Sequence, residues 1–247
     1  VTLFGGMLEF TEDTIVAVTG ADMGPMVDEE PVEMNCPLLI KKGQILALGM
    51  TRQGCRTYLA FAGGIDVPLV MGSRSTNLKC AFGGYGGRAL KAGDVLKLGK
   101  PKLSFDQVKK RRTKGIETSK IIEVHAVPGP QQEYFTEAGE KAFYNGTYTI
   151  TDQSDRMGYR LEGPRAESKN GTDIISDAIP LGAVQIPPSG QPIVLLADRQ
   201  TTGGYAKIAV VCSFDIPKLA QGRPGDKVRF LKTDVKTAQK LYRKQER

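Results

Sequence analysis

The chain has 247 residues, 40% hydrophobic and 25% charged, with a formal net charge of +7, the make-up of a globular protein with room for one large domain or two smaller ones. No apolar run reaches the roughly 20 residues that a membrane-spanning helix needs, and residues 1–10 carry no signal-peptide pattern. A single histidine, His125, excludes a multi-histidine metal site.

The charge is unevenly spread. Residues 100–120 and 227–247 each carry eight Lys/Arg and two Asp/Glu. Each segment is thus net +6, and the rest of the chain carries −5. Neither segment interleaves aromatics as a nucleic-acid groove does. Both are read as solvated basic segments, with an acidic partner as the alternative and no nucleic-acid or membrane partner expected. The four cysteines, Cys36, Cys55, Cys80 and Cys212, form no Cys-x-x-Cys pair. Their spacing fits a reducing, cytoplasmic setting rather than a zinc ribbon or a disulfide framework.

In chain order, Val1–Phe10 already reads as strand, so the chain is expected to start inside a domain whose first part is missing. Short apolar or alternating runs follow: Thr14–Val18, Leu38–Ile40, Gln44–Leu48, Tyr58–Ala62, Asp94–Leu98, Ile121–Val127, Thr147–Ile150, Ala183–Ile186, Ile193–Ala197, Ile208–Cys212 and Lys227–Phe230. Gly, Pro and Asp separate them, which predicts antiparallel sandwiches or barrels rather than βαβ units. Helical periodicity is scarce until Val235, Ala238, Leu241 and Tyr242, one apolar stripe behind Thr233-Asp234 as N-cap residues.

The two sides of the basic run 109–114 share landmarks in the same order. Thr19-Gly-Ala-Asp-Met-Gly24 answers Thr151-Asp-Gln-Ser-Asp-Arg-Met-Gly158, and Ile40-Lys-Lys-Gly-Gln44 answers Ile186-Pro-Pro-Ser-Gly-Gln191. Gly43 to Tyr58 spans 15 residues, as does Gly190 to Tyr205. Asp66-Val-Pro68 answers Asp215-Ile-Pro217, and Gly93-Asp94 answers Gly225-Asp226. We read a duplication: an incomplete first β-barrel over 1–100, a basic linker over 101–120, and a second barrel with a C-terminal helix over 121–247.

Three motifs carry a resemblance: Gly63-Gly-Ile-Asp-Val-Pro68 leading into Gly72-Ser-Arg-Ser-Thr76, Gln153-Ser-Asp-Arg-Met-Gly-Tyr-Arg-Leu-Glu-Gly163, and Gln191-Pro-Ile-Val-Leu195 leading into Gln200-Thr-Thr-Gly-Gly-Tyr205. Over essentially its whole length the chain resembles the allophanate hydrolase subunit 2 family. That family is also called biotin-dependent carboxyltransferase or KipI antagonist, and it includes the C-type subunit of 5-oxoprolinase. The resemblance implies a mainly β protein of two cyclophilin-like β-barrels. It also implies a KipI-like (allophanate hydrolase subunit 1) partner and a LamB/YcsF-like third subunit. The implied activity is that of a subunit in ATP-dependent opening of 5-oxoproline. Carboxyl transfer from biotin to urea, or regulatory antagonism of a KipI-like inhibitor, are the alternatives. ATP is then used by the assembled complex and none is expected on this chain. The chain has no Met-Lys biotinylation site, so biotin would sit on a partner. The family's opening Thr-x-x-Gln-Asp-x-Gly-Arg-like motif is absent.

A cyclic amide or urea needs donors for its oxygen and an acceptor for its N–H. The polar loops at 153–160 and 198–205 supply both. Arg156 is the candidate for an anionic or carbonyl oxygen, and Gln185 and Gln200 would orient an amide. Thr201 and Thr202 would donate hydroxyls, with Tyr159 and Tyr205 beside them. Asp198 is the candidate N–H acceptor or catalytic base. Asp155-Arg156 as a local ion pair, and Thr201-Thr202 as strand-end hydrogen bonders, are the plain structural alternatives. In the first barrel Asp66, Ser73 and Arg74 mark a second pocket or a subunit interface. The glycine pairs at 63–64, 83–84 and 86–87 fit no phosphate loop. His125, in an alternating run, is read as structural or surface, and no nucleophile with an evident general base is found.

Overall fold

The computed structural model describes residues 1–245, so Glu246 and Arg247 of the basic tail lie outside the described residues. Two compact units divide the chain. Val1–Arg52 with Thr57–Gly115 form the first, and Gln53–Arg56 with Ile116–Arg247 form the second.

The first unit is built from β1 (Met7–Glu9), β2 (Thr14–Asp22), β3 (Met26–Val27), β4 (Glu30–Pro31), β5 (Pro37–Ile40), β6 (Ile45–Ala47), the part of β7 (Gln53–Phe61) from Thr57 onward, and one turn of helix, α1 (Phe105–Val108). Alternation in β2 sends Val16 and Val18 into a core with Phe10, Met23, Ile40, Leu46 and Leu48. The strands make two open sheets, β5-β2-β7 and β1-β6-β3-β4. Hydrogen bonding closes no barrel in this unit among the described residues, where the sequence reading expects an incomplete one. The strand expected at Asp94–Leu98 is loop, apart from a single bridge between Ile65 and Leu98. That region is held by side chains instead. Arg88 grips Asp94 through two 2.7 Å bonds, and this fork lowers the Asp94 carboxyl to about 2.

The second unit contains β8 (Ile121–Pro128), α2 (Glu137–Asn145), β9 (Tyr148–Ile150), β10 (Gly158–Glu162), β11 (Asp173–Ala178), β12 (Ala183–Gln185), β13 (Ile193–Leu195), β14 (Thr202–Tyr205), β15 (Lys207–Val211), α3 (Ile216–Leu219), β16 (Lys227–Lys232) and α4 (Val235–Gln245). Seven of these strands close a barrel in the order β10-β13-β12-β15-β8-β16-β9. The β9–β10 pairing completes it, and β16 runs parallel to β8 from Lys227↔Ile121 to Lys232↔Ala126. Strands β11 and β14 stand apart as a two-stranded ribbon. Closure leaves the barrel no free edge and gives it a single packed interior.

One helix absent from the sequence reading helps to fill that interior. Thr136 caps α2 by accepting from the Gly139 N–H at 2.9 Å, and Glu137 and Glu140 sit in its first turn, where carboxylates favour the positive end of the helix dipole. Gly139 interrupts the apolar stripe. A Cβ there would lie 2.3 Å from the Glu167 carbonyl oxygen, so the close approach of that loop requires glycine. The buried ring of Phe143 stacks on Phe230 with centroids 4.4 Å apart. It also meets Tyr148, whose phenol burial pushes above its ordinary pKa. The C-terminal helix is present as α4, and Asp234 accepts from the Thr237 N–H and hydroxyl as its cap.

Phe143→Ala should therefore lower unfolding stability by about 3–5 kcal/mol, measured by urea denaturation. Breaking the exposed Glu137–Lys141 pair on the same helix should leave the transition nearly unmoved.

Candidate functional site

The residues of interest on the second unit lie where strand alternation turns side chains out of the barrel. Val184, Ile186, Ala206 and Ile208 belong to the barrel core. Gln185 and Lys207, opposite one another on β12 and β15, therefore point to the outer face. The ribbon covers them there. Lys207 is only 1% exposed and Gln185 is buried as well. Gln185 Nε2 donates to the Tyr205 carbonyl at 3.3 Å. Lys207 Nζ donates to Asp177 Oδ2, on β11, at 2.9 Å. Gln131 completes the group: its Oε1 accepts from the Lys207 N–H at 3.2 Å and its Nε2 reaches Asp177 Oδ2 at 3.4 Å. A buried ammonium is costly unless it is paired and hydrogen-bonded. Reciprocally, the ammonium holds the Asp177 carboxyl below the usual carboxylate range, with the Ala178 N–H and Gln131 assisting.

Gly203 lets the ribbon lie this close. A Cβ on it would stand 2.6 Å from Ile179 Cδ1 and 2.9 Å from Gln185 Nε2, with Gln200 Nε2 at 3.6 Å. The structure thus brings Gln185, Gln200 and Tyr205 to one neighbourhood, with Thr202 beginning β14. The side chains of Gln200, Thr201 and Thr202 and the Tyr205 hydroxyl make no hydrogen bond among the described residues, so their donors and acceptors are available. Thr202–Tyr205 is a strand paired with β11 (Ala178↔Thr202, Asp173↔Tyr205), not the loop that the sequence suggests.

Other sequence candidates fall elsewhere. Arg156 and Asp198 bind one another, with Nε–Oδ2 at 3.1 Å, Nη2–Oδ1 at 3.2 Å and the Asp198 N–H on the Arg156 carbonyl at 2.9 Å. Both side chains are exposed, and no hydrogen bond or ion pair among the described residues joins them to the Lys207 group. Asp155 folds its own turn, accepting from the Met157 and Gly158 N–H groups. Tyr159 is buried. Its hydroxyl donates to the Gly222 carbonyl at 3.0 Å and accepts from Arg56 at 2.6 Å, a role in joining segments of the barrel unit. In the first unit, Asp66 and Arg74 line a cavity of 660 Å³ with Ser75, Thr76 and Tyr85. Ser73 is not among its lining residues; its hydroxyl accepts from the Ser75 N–H at 3.0 Å. The second unit also carries a groove of 580 Å³ bordered by Thr149, Gln153, Arg160 and Gln191. The Gln191 amide there is engaged with both backbone groups of Gly163.

Sequence reasoning missed two groups. Lys207 has the look of any surface lysine in an alternating strand, and only the ribbon above it makes it a buried cation. His125 pairs through Nδ1 with Asp215 Oδ2 at 2.8 Å, and the same oxygen accepts the His125 N–H. Asp215 is fully buried. Lys218 Nζ lies 2.8 Å from its other oxygen without hydrogen-bond geometry. The 90 residues between His125 and Asp215 hide that pair from any local pattern.

The second unit is thus a closed β-barrel with a two-stranded ribbon laid over a buried lysine. The chain belongs to the family described as carboxyltransferase domain, subdomain A and B, whose model matches residues 1–232. It is 40% identical to the C-type subunit of 5-oxoprolinase from Escherichia coli K12 over 247 residues, covering 100% of this chain and 78% of that protein. It is 38% identical to the same 5-oxoprolinase subunit from Haemophilus influenzae, over the same share. The crystal structure of Kluyveromyces lactis urea amidolyase superposes with a TM-score of 0.88 at 30% identity, covering all of this chain and 16% of that one. The chain thus corresponds to one part of the much longer yeast enzyme.

The Asp177–Lys207 pair has a defined acid limit. Because the folded-state pKa of Asp177 is lowered from 3.8, its contribution to stability is complete above that value and is lost as pH falls through the lower, folded-state one. Urea denaturation from about pH 6 down to about pH 2 should show this loss in the native protein, and Asp177→Asn should remove that part of the acid dependence.

Proposed function

We propose that the chain is the C-type component of an ATP-dependent 5-oxoprolinase and that it holds the cyclic amide at the Lys207 group. The observation that carries this reading is the 40% identity to the C-type subunit of 5-oxoprolinase across the whole chain. The chemistry of the group supports it. Lys207 offers an ammonium to a carboxylate or lactam oxygen, Gln185 and Gln200 offer amides to the ring N–H and C=O, and Thr201, Thr202 and Tyr205 add hydroxyls. Arg156 and Asp198 keep a proposed place at the entrance, where separation of their ion pair would free a guanidinium for an oxygen and a carboxylate for an N–H. On this reading Asp66, Ser73 and Arg74 belong to a second pocket or an interface of the first unit. The two units are copies of one cyclophilin-like barrel, a duplication supported by the landmarks shared between 19–98 and 151–230.

The partners follow as proposals: a KipI-like subunit and a LamB/YcsF-like subunit. We assign ATP to the assembly rather than to this chain. A Cβ on Gly63, Gly83 or Gly87 would meet the backbone oxygens of Gly99, Ser75 and Ala81, so close backbone packing accounts for these glycines without a nucleotide loop. No helix of the described residues is long and apolar enough to cross a membrane, and all four cysteines are unpaired, which supports a reducing, cytoplasmic setting.

Carboxyl transfer to urea is the second reading, favoured by the 0.88 TM-score to urea amidolyase. There biotin, carried by another domain, would supply the carboxyl group, and the same amides would hold urea.

Co-expression with the two proposed partners should give ATP hydrolysis that depends on 5-oxoproline and not on urea. Lys207→Met should reduce it at least about 100-fold, with Thr202→Ala and Asp198→Ala reducing it about tenfold. Urea-dependent turnover with no response to 5-oxoproline would replace this reading with the second.

A further inference from the structure

Lys207 is a buried cation whose one side-chain partner is a carboxylate on a different piece of structure. That partner is not buried with it: the Asp177 side chain is 49% exposed. It sits on a ribbon hydrogen-bonded in register at Asp173↔Tyr205 and again at Asp177↔Gly203, with the pairing shifted between these points. Ile175, in the shifted stretch, is 95% exposed. An isolated two-stranded ribbon is marginal in water, so its tethers fix its place. One is the Asp177–Lys207 bond. Others are Gln185 Nε2 on the Tyr205 carbonyl of β14, the Ala206 N–H on the carbonyl of Thr172 just before β11, and Gln131 Nε2 on Asp177 itself. Among these tethers the ion pair is the one from Asp177, and it fastens β11 through the buried Lys207 ammonium.

We propose that Asp177 is a resident stand-in for the substrate's carboxylate. It keeps Lys207 paired while the site is empty, and it yields the ammonium to the carboxylate of an anionic cyclic amide as β11 lifts. This rests on the reading of the Lys207 group as the amide site and adds a specificity rule to it. One carboxylate replaces another on Lys207, so the buried charge stays neutralised throughout. Asp177, already half exposed and stable as an anion, passes into water. A neutral lactam or urea offers no charge to replace Asp177 and would leave the fastening in place. Selection for the anion then arises from competition at one nitrogen, a form of discrimination by a built-in rival.

The test reads Lys207 directly, by reductive methylation followed by peptide mapping, with L-5-oxoproline and its carboxylate-free analogue 2-pyrrolidinone as protecting ligands. In the native protein Lys207 should label slowly. In Asp177→Asn it should label at least tenfold faster, and L-5-oxoproline should protect it at a concentration at least fivefold lower than in the native protein. 2-Pyrrolidinone should protect it in neither. Asp177→Ser, run in parallel with thermal melts of each variant, separates loss of the fastening from loss of fold. The inference is overturned if L-5-oxoproline protects neither protein, if 2-pyrrolidinone protects equally well, or if the protecting concentration is unaltered in every folded variant. Turnover of the reconstituted complex distinguishes the two failures. Activity with an unaltered protection pattern removes only the role of Asp177, whereas absence of 5-oxoproline turnover removes the reading beneath it.

Discussion

A lysine ammonium removed from water must find a counter-charge, and in the second unit that requirement organises everything above the barrel wall. Lys207 is turned out of the core by the same alternation that turns Ile208 in, and without cover it would be an ordinary surface lysine. The ribbon β11–β14 supplies the cover and, through Asp177, the charge. Once the ribbon lies there, Gln185 is buried with Lys207 and bonds to the ribbon backbone at Tyr205. Gly203 must then lack a side chain, because Gln185 and Ile179 occupy its space. One electrostatic necessity thus fixes a strand pairing, a glycine and the orientation of an amide.

The barrel below supplies a contrast in rigidity. It is closed all round, and its interior is sealed by the stacked rings of Phe143 and Phe230 with Tyr148 beside them. A closed sheet packed in this way holds side chains such as Lys207 and Gln185 to one geometry. The ribbon has two strands, an interrupted register and a small apolar cluster of Ile179, Ala183 and Leu195 near its base. Binding groups mounted on a rigid wall, facing a weakly held cover, let a ligand enter without disturbing the wall.

How much of this could be read from the sequence depends on whether the signal is local. The barrel strands announce themselves as short alternating runs, and the Gln-Thr-Thr-Gly-Gly-Tyr stretch is conspicuous because polar groups crowd the end of an apolar strand. Gln185, Gln200, Thr202 and Tyr205 are accessible that way, and α4 through its stripe and Asp234 cap. Asp177 and Lys207 are not, since neither the run at 173–178 nor Tyr205-Ala-Lys-Ile-Ala209 marks which side chain will be covered. Tyr159 misleads for the opposite reason. A tyrosine in a polar motif looks like a ligand contact, yet its strand position aims it at Arg56 and the Gly222 carbonyl. Helix α2 is masked by Gly139, whose presence answers to the Glu167 loop rather than to helix propensity. The His125–Asp215 pair requires the middle of β8 and the turn at Ser213–Asp215 to be brought together by the fold.

The family likeness alone does not choose between cyclic-amide opening and carboxyl transfer, since relatives with both names match essentially the whole chain. On the proposed assignment of the site, electrostatics at Lys207 separates them. 5-Oxoproline and urea share a planar amide that Gln185, Gln200 and the hydroxyls could hold equally well. They differ in one carboxylate, a full charge, and the interaction of that charge with a desolvated ammonium is far stronger than any neutral hydrogen bond at the rim. A cation kept out of water and already matched to a carboxylate is complementary to the anion. For urea the same nitrogen would have to remain with Asp177, and the ribbon would have no reason to move. If the proposed site holds the substrate, the buried lysine favours the anionic one for a reason independent of sequence identity.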